Sequence, residues 1–170
     1  MASRLLLMRH AKARWPSPGS DDFDRPLTDI GIQEARSMAD MIEAAGLRPD
    51  LVLCSGARRC RETWQQLSNS IEVEAVEYDD ALYSNDAAGY LDHVRLHGAA
   101  GTLLVIGHNP MTEELAMALT SDRTGAAPSA LAGGFPTAAL AVIETAGALS
   151  ELRPSGARLE AFITPREHAD

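Results

Sequence analysis

The sequence contains few aromatic residues, few cysteines and fewer basic than acidic residues. Aromatic residues make up 5% of the chain, so Ala, Leu, Ile, Val and Met have to fill the core. The two cysteines, Cys54 and Cys60, are too few for a disulfide framework or for a metal site with four cysteine ligands. The formal net charge of -9 argues against a general nucleic-acid partner, because such a partner requires a basic face.

Long apolar runs are also absent from the sequence. No window approaches the roughly 18–20 apolar residues of a membrane-spanning helix, and the run at residues 5–8 is too short for a signal peptide. A nucleotide-binding loop of the Gly-x-x-x-x-Gly-Lys-Ser/Thr type is missing as well. We therefore expect a cytoplasmic protein without a membrane partner. Its 170 residues fit one domain, residues 1–170, with a substantial core.

Short apolar runs alternate with amphipathic segments along the chain. The predicted strands cover residues 5–8, 51–54, 71–75, 102–106, 138–143 and 158–163. The predicted helices cover residues 28–45, capped by Thr28 or Asp29, 57–67 and 86–96, and a fourth begins at Pro110 with Asn109 as its N-cap. Connections rich in Gly, Pro or acidic residues cover 13–27, 77–86 and 121–136. This alternation predicts a three-layer α/β/α fold with a mostly parallel sheet and helices on both faces.

Three of the predicted strands end in polar residues that suit an anion. The first strand ends at Arg9-His10, the second at Ser55 with an arginine cluster at residues 58–61, and the fourth at His108. If these strands are parallel neighbours, their carboxyl ends meet at the edge where open α/β sheets bind ligands. Two helix N-termini reach the same edge and add unpaired amides. The sequence therefore predicts a site for a multiply charged anion, most simply phosphate.

Two histidines beside one phosphate can do chemistry on it. A neutral imidazole can attack phosphorus and form a phosphohistidine that water then hydrolyses. Arginine and the second histidine can stabilise the charge on the transferring group without a metal. Neighbouring arginines lower the pKa of the attacking imidazole, which favours its unprotonated form.

The three motifs resemble those of the histidine phosphatase superfamily, also called phosphoglycerate-mutase-like. Residues 7–11, Leu-Met-Arg-His-Ala, are similar to the family's Arg-His-Gly motif. Residues 55–63, Ser-Gly-Ala-Arg-Arg-Cys-Arg-Glu-Thr, are similar to its Ser-Pro-x-x-Arg-x-x-x-Thr motif, in which counting back from Thr63 selects Arg59 rather than Arg58. Residues 106–110, Ile-Gly-His-Asn-Pro, contain its Gly-His motif.

The resemblance implies a phosphoglycerate-mutase-like fold and a role for each site residue. His10 is then the nucleophile, Arg9 and Arg59 bind phosphate, and His108 completes the catalytic pocket, with no metal or other cofactor. The chain length and the Gly-His-Asn-Pro segment are most similar to the small phosphohistidine phosphatases. The expected substrate is phosphohistidine in a protein. The alternatives are a phosphatase for a small phosphorylated metabolite and a non-catalytic module that binds phosphorylated proteins.

The sequence departs from the family where many members carry a catalytic Glu after the third strand. Residues 78–84 contain no Glu, and Asp79 and Asp80 are the candidate proton donors, although a solvated acidic loop is the favoured interpretation. An alkoxide leaving group needs a proton donor worth ~10²–10⁴-fold in rate. The imidazole of a phosphohistidine can be protonated before it leaves, since its free pKa is about 6.5. A site without a dedicated acid therefore favours phosphoramidate substrates.

Other residues with possible chemistry have simpler interpretations. His93 and His97 lie four residues apart on a predicted helix but have no evident third metal ligand, so we expect surface histidines. His168, in the polar tail, is expected to be inert, and Cys54 and Cys60 are expected to be packing residues.

Overall fold

The structure, a computed structural model, describes residues 2–165 and is built around one six-stranded sheet. The strands are β1 (Ser3–Arg9), β2 (Leu51–Ser55), β3 (Ala75–Asp79), β4 (Thr102–Gly107), β5 (Leu140–Thr145) and β6 (Arg158–Ile163). The α-helices are α1 (Asp29–Ala44), α2 (Arg58–Leu67), α3 (Ala81–Ser84), α4 (Ala87–Leu96) and α5 (Met111–Thr120). A short 3-10 helix covers Asp22–Asp24. His168 lies outside the described residues.

The strand order explains why the ends of β1, β2 and β4 meet. The order across the sheet is β3-β2-β4-β1-β5-β6, so β4 lies between β1 and β2. Strands β1 to β4 are mutually parallel, whereas β5 runs antiparallel to both β1 and β6. The predicted mostly parallel α/β sheet is confirmed. In the register, Arg9 pairs with Gly107, so the residues that follow these two emerge side by side.

The sheet separates two apolar cores, which accounts for the continuous apolar run of β1. Successive side chains of a strand point to opposite faces. Leu6 and Met8 pack with α1 and α2 on one face, and Leu5 and Leu7 pack with α4 and α5 on the other. All four side chains are fully buried. A strand covered on both faces is apolar at every position, which is why β1 and β4 could be recognised from sequence.

Several predicted boundaries are confirmed, and three are wrong for identifiable reasons. The N-cap of α1 is Thr28, whose Oγ1 accepts a hydrogen bond from the Gly31 amide at 3.0 Å. The third strand covers 75–79 rather than 71–75, because the parallel pairing with β2 begins at Ala75. The fifth strand begins at Leu140 rather than 138, since Ala138 has a φ of 62° and cannot extend a strand.

The third error concerns the start of α5. The N-cap position is Pro110, and the helix begins at Met111, so Asn109 is not its N-cap. The Asn109 side chain is used elsewhere: its Nδ2 donates to the Phe135 carbonyl oxygen at 3.1 Å, and its Oδ1 accepts from the Thr112 hydroxyl. Between residues 2 and 165, no helix combines the length and apolar character needed to cross a bilayer. The cytoplasmic location stays a prediction.

Candidate active site

A cavity of about 590 Å³ opens at the carboxyl ends of β1, β2 and β4. All four residues predicted to form the site line it: Arg9, His10, Arg59 and His108. The rings of the two histidines lie 5.4 Å apart between centroids. Three distant parts of the chain thus place two imidazoles and two guanidinium groups around one space.

The His10 ring carries its proton on one nitrogen, which leaves the other nitrogen with a lone pair that can act as a base or nucleophile. Nδ1 lies 2.7 Å from the carbonyl oxygen of Ala11, and because a carbonyl oxygen only accepts, Nδ1 carries the proton. In the neutral ring Nε2 then holds a lone pair, which accepts from Arg59 Nε at 3.3 Å. Burial is the main factor that lowers the pKa of His10 to about 3, and the charges of His108 and both arginines lower it further. The His10 ring is therefore neutral at neutral pH, with a proton on Nδ1 and none on Nε2.

The backbone around His10 is held by the other two motifs. The His10 amide donates to the Gly107 carbonyl oxygen at 3.0 Å, which joins the ends of β1 and β4. The Ala11 amide donates to Thr63 Oγ1 at 3.0 Å, and the Thr63 hydroxyl donates to the Arg59 carbonyl oxygen at 2.7 Å. Thr63 therefore links Ala11, whose carbonyl oxygen orients the His10 ring, to helix α2, which carries Arg59.

Arg59 joins the two histidines from the first turn of α2. Its Nε donates to His10, and its Nη2 lies 3.3 Å from His108 Nδ1. The side chain is buried, with 6% of the residue exposed. Arg58, one position earlier, is exposed and pairs with Glu62 at 3.0 Å instead. The structure thus places Arg59, and not Arg58, among the histidines.

His108 follows β4 and has a defined tautomer as well. Because a guanidinium only donates, Nδ1 accepts from Arg59, and Nε2–H donates to Ser55 Oγ at 2.8 Å. The Cys60 sulfur lies 3.5 Å from the same Nε2. Burial and the charge of Arg59 lower the pKa of His108 to about 4, which favours the neutral ring at neutral pH.

Arg9 contributes an unused donor. Its Nη1 donates to the Phe135 carbonyl oxygen at 3.0 Å, while its buried Nε has no hydrogen-bond partner among the described residues. Burial lowers the pKa of the guanidinium. A buried guanidinium with an unpaired donor is costly, so an anion in the cavity that Arg9 lines would stabilise its charge.

Sequence reasoning missed Asp22 and Tyr83, which also line the cavity. The Asp22 carboxylate accepts from Tyr83 at 2.6 Å, from Arg25 at 2.8 Å and from Arg59 at 3.3 Å. Its pKa is lowered, first by the Tyr83 hydrogen bond and then by the charges of the two arginines. No motif marks these residues, because their sequence neighbourhoods have ordinary loop composition.

The two candidate proton donors, Asp79 and Asp80, are not part of the cavity that His10 and His108 line. Asp79 accepts from the Ala81 amide at 2.9 Å and pairs with His93 at 3.1 Å. Neither Asp79 nor Asp80 lines the cavity, so the structure supports neither as a proton donor. His97 pairs with a carboxylate of β3, Glu77, at 2.7 Å.

The remaining residues with possible chemistry are buried or paired. Cys54 and Cys60 are fully buried, and burial raises the pKa of both thiols, that of Cys60 to about 12. Both are therefore protonated thiols at neutral pH. Residues 2–165 include no cluster of three or more His, Cys, Asp or Glu side chains that could hold a metal ion.

Comparison with protein families matches residues 5–86 to the histidine phosphatase superfamily, branch 1. The match includes Arg9, His10 and Arg59 and ends before His108. An uncharacterized protein of Mycobacterium tuberculosis is 36% identical over 162 residues, which is 94% of this chain and 100% of that protein. An uncharacterized chloroplastic protein of Arabidopsis thaliana is 30% identical over 178 residues, covering 97% of this chain and 79% of the relative.

Solved structures with the same fold include two provisionally named phosphohistidine phosphatase SixA. The protein from Agrobacterium tumefaciens is 34% identical with a TM-score of 0.82, covering 96% of this chain and 99% of that one. The protein from Nakamurella multipartitia is 31% identical with a TM-score of 0.84, covering 97% of each chain. A third structure is a protein histidine phosphatase SixA complexed with tungstate, which is 22% identical with a TM-score of 0.78, covering 95% of this chain and 97% of that one. At this identity the similarity supports the fold alone.

Proposed function

Because the chain belongs to the histidine phosphatase superfamily, we propose that it is a metal-independent phosphatase. The proposed reaction removes the phosphoryl group from phosphohistidine in proteins through a phosphoryl intermediate on His10. The observation that carries the proposal is the unprotonated Nε2 of His10, whose lone pair lies beside the Arg59 guanidinium in a cavity that His108 also lines. A pure phosphate-binding pocket needs no such nucleophile.

The phosphoryl group of the substrate binds first. The guanidinium groups of Arg9 and Arg59, which both line the cavity, donate hydrogen bonds to its oxygens. The anion also raises the pKa of the neighbouring His108, which takes up a proton and donates it in a hydrogen bond from Nδ1. The arginines and the imidazolium then stabilise the charge of the transferring group.

Two displacements follow at phosphorus. In the first, Nε2 of His10 forms a bond to phosphorus, the bond from phosphorus to the substrate breaks, and the leaving group takes that electron pair. His10 Nδ1–H keeps its hydrogen bond to the Ala11 carbonyl oxygen, which stabilises the phosphorylated ring. In the second, water attacks phosphorus, the nitrogen–phosphorus bond breaks, and His10 leaves as a neutral imidazole that keeps its Nδ1 proton, while both protons of the water leave with the product as dihydrogen phosphate. Splitting one difficult displacement into two is the advantage of covalent catalysis.

The proposed substrate class rests on the proton donors of the cavity. In the proposed mechanism the His108 proton stays in its hydrogen bond to the transferring phosphoryl group, so a carboxyl group would have to protonate an alkoxide leaving group. Among the described residues that line the cavity, Asp22 is the one carboxylate, and its lowered pKa keeps it ionised. An ionised carboxylate cannot protonate an alkoxide, whereas a phosphohistidine supplies its own protonated leaving group. The two provisionally named SixA phosphohistidine phosphatases, each about a third identical, support the same substrate.

A substrate panel tests this proposal. Phosphate release would be measured from a phosphohistidine protein, a phosphohistidine peptide and an alkyl phosphomonoester, each with and without a chelator. We expect the phosphohistidine substrates to react much faster than the alkyl ester, equally well with the chelator, and not at all with His10→Ala. Equal rates on the alkyl ester would indicate a metabolite phosphatase instead. Binding of the phosphoprotein without phosphate release would indicate a binding module.

A further inference from the structure

Asp22 is a carboxylate in a cavity otherwise suited to an anion. It lies on the 3-10 helix Asp22–Asp24, and its side chain is 43% exposed. The charged and titratable groups that face it are Arg25 from its own turn, Arg59 from α2, Tyr83 from α3 and His108 after β4. A carboxylate at this position repels the phosphoryl group of a substrate. We therefore looked for a contact between Asp22 and the leaving group.

The hydrogen bonds of Asp22 leave one acceptor position open. A carboxylate has about four acceptor positions. Oδ2 accepts from Tyr83 and from Arg59 Nη2, while the one donor to Oδ1 within residues 2–165 is Arg25 Nε, at 2.8 Å. Three donors from three parts of the chain therefore hold the carboxylate in place and leave Oδ1 one free lone pair in a group that lines the cavity.

We propose that Asp22 recognises the leaving group, by accepting a hydrogen bond at Oδ1 from the N–H of a protonated imidazole bonded to phosphorus. This role rests on the proposed function and narrows the substrates to phosphoramidates whose phosphorylated nitrogen belongs to a protonated, cationic ring. Arg59 holds the phosphoryl oxygens on one side, and Asp22, bonded to that same guanidinium, faces the ring being displaced. Asp22 is thus a specificity residue that favours the reactive, protonated form of the substrate.

The charges balance in this step without an added acid. The substrate ring enters as a cation, with one nitrogen bonded to phosphorus and the other bonded to hydrogen. When His10 Nε2 bonds to phosphorus, the old phosphorus–nitrogen pair returns to the substrate ring. That ring leaves as a neutral imidazole with its N–H still donated to Asp22. The positive charge passes to the His10 ring, and Asp22 is neither protonated nor consumed.

The test compares Asp22→Asn with a matched control, Asp24→Asn, on the same turn. Asp24 is exposed and lies in a neighbouring groove rather than in the cavity. The substrates are a phosphohistidine peptide and 4-nitrophenyl phosphate, whose leaving group has no N–H. We expect Asp22→Asn to lower the ratio of kcat/KM on the peptide to kcat/KM on the aryl ester by about 10- to 100-fold. Asp24→Asn leaves that ratio unchanged.

The pH dependence of kcat gives a second measurement that a merely structural role would not move. With the wild-type protein, kcat on the phosphohistidine peptide falls at a pH above the pKa of the free substrate ring, because Asp22 stabilises the bound cation. In Asp22→Asn the fall moves down by roughly one pH unit. The wild-type part of this measurement needs no variant to fold.

Two results would overturn the inference, and they are distinguishable. In the first, the wild-type protein hydrolyses the phosphohistidine peptide, but its kcat falls at the pKa of the free substrate ring and Asp22→Asn lowers kcat/KM equally on both substrates. Asp22 then only positions Arg59. If the wild-type protein hydrolyses the aryl ester and not the peptide, the proposed function fails together with this inference.

Discussion

Replacing Thr63 with valine tests whether the second motif holds the nucleophile in place. Valine keeps the shape of the side chain and removes the hydroxyl that accepts from the Ala11 amide at 3.0 Å. Thr63 is fully buried, so that amide is left without a partner. A buried unsatisfied amide costs ~1–3 kcal/mol. Because the Ala11 carbonyl group orients the His10 ring, we also expect kcat to fall roughly 10- to 100-fold.

Thr120 provides the matched control for this substitution. It is also a buried helical threonine whose hydroxyl donates to the carbonyl oxygen four residues earlier, at 2.6 Å to Ala116, but it supports no residue of the site. The lost carbonyl bond is common to both valine variants, so the difference between them isolates the Ala11 amide. We expect Thr63→Val to be less stable than Thr120→Val by ~1–2 kcal/mol in urea unfolding. Equal stabilities, with wild-type kcat in Thr63→Val, would refute the reasoning.

Three further predictions follow from the site. Burial holds the pKa of His10 at about 3 and that of His108 at about 4 in the folded protein, so the unfolded chain binds protons first as pH falls below about 6.5. The free energy of unfolding should therefore decrease by up to ~1.4 kcal/mol per pH unit for each histidine. Urea unfolding between pH 7 and about 4.5 measures this slope, and His108→Asn should reduce it; a flat profile would contradict the buried neutral rings. Arg59→Lys should lower kcat/KM by roughly 10²-fold, because lysine cannot reproduce the guanidinium fork. The control Arg58→Lys should lower kcat/KM by less than about twofold. Equal losses in the two variants would contradict the assignment of Arg59 as the phosphate-binding arginine. Prolonged dialysis against a chelator should leave phosphate release unchanged, and recovery of a lost rate on adding a divalent metal would contradict the proposed chemistry.

The parts of the fold that could be predicted from sequence are those buried on both sides. Strands β1 and β4 are continuous apolar runs because both faces of the sheet are covered, and each run ends where the chain leaves the core. The residues at those ends meet because the strands are parallel and adjacent. The resemblance to the family's second motif, counted back from Thr63, selected Arg59 over Arg58, and in the structure Arg59 contacts both histidines.

The parts that could not be predicted depend on contacts between distant, exposed segments. Strand β3 lies at the edge of the sheet with mostly exposed side chains, so its register is set by pairing with β2 and leaves little apolar pattern. Asp22 meets Tyr83 across 61 positions and Arg59 across 37. No local rule of spacing connects these residues, and only the packed chain shows that the carboxylate of the cavity is Asp22 rather than Asp79 or Asp80.

Trapping the phosphoryl intermediate on His10 is the decisive experiment for the proposed mechanism, in which His10 carries the phosphoryl group between substrate and water. The protein would be mixed with a phosphohistidine peptide, quenched rapidly in alkali, digested and mapped by mass spectrometry. We expect one phosphoryl group on His10 in the wild-type protein and none anywhere in the His10→Ala variant, which also releases no phosphate. A phosphoryl group on His108, or sustained turnover by His10→Ala, would contradict it.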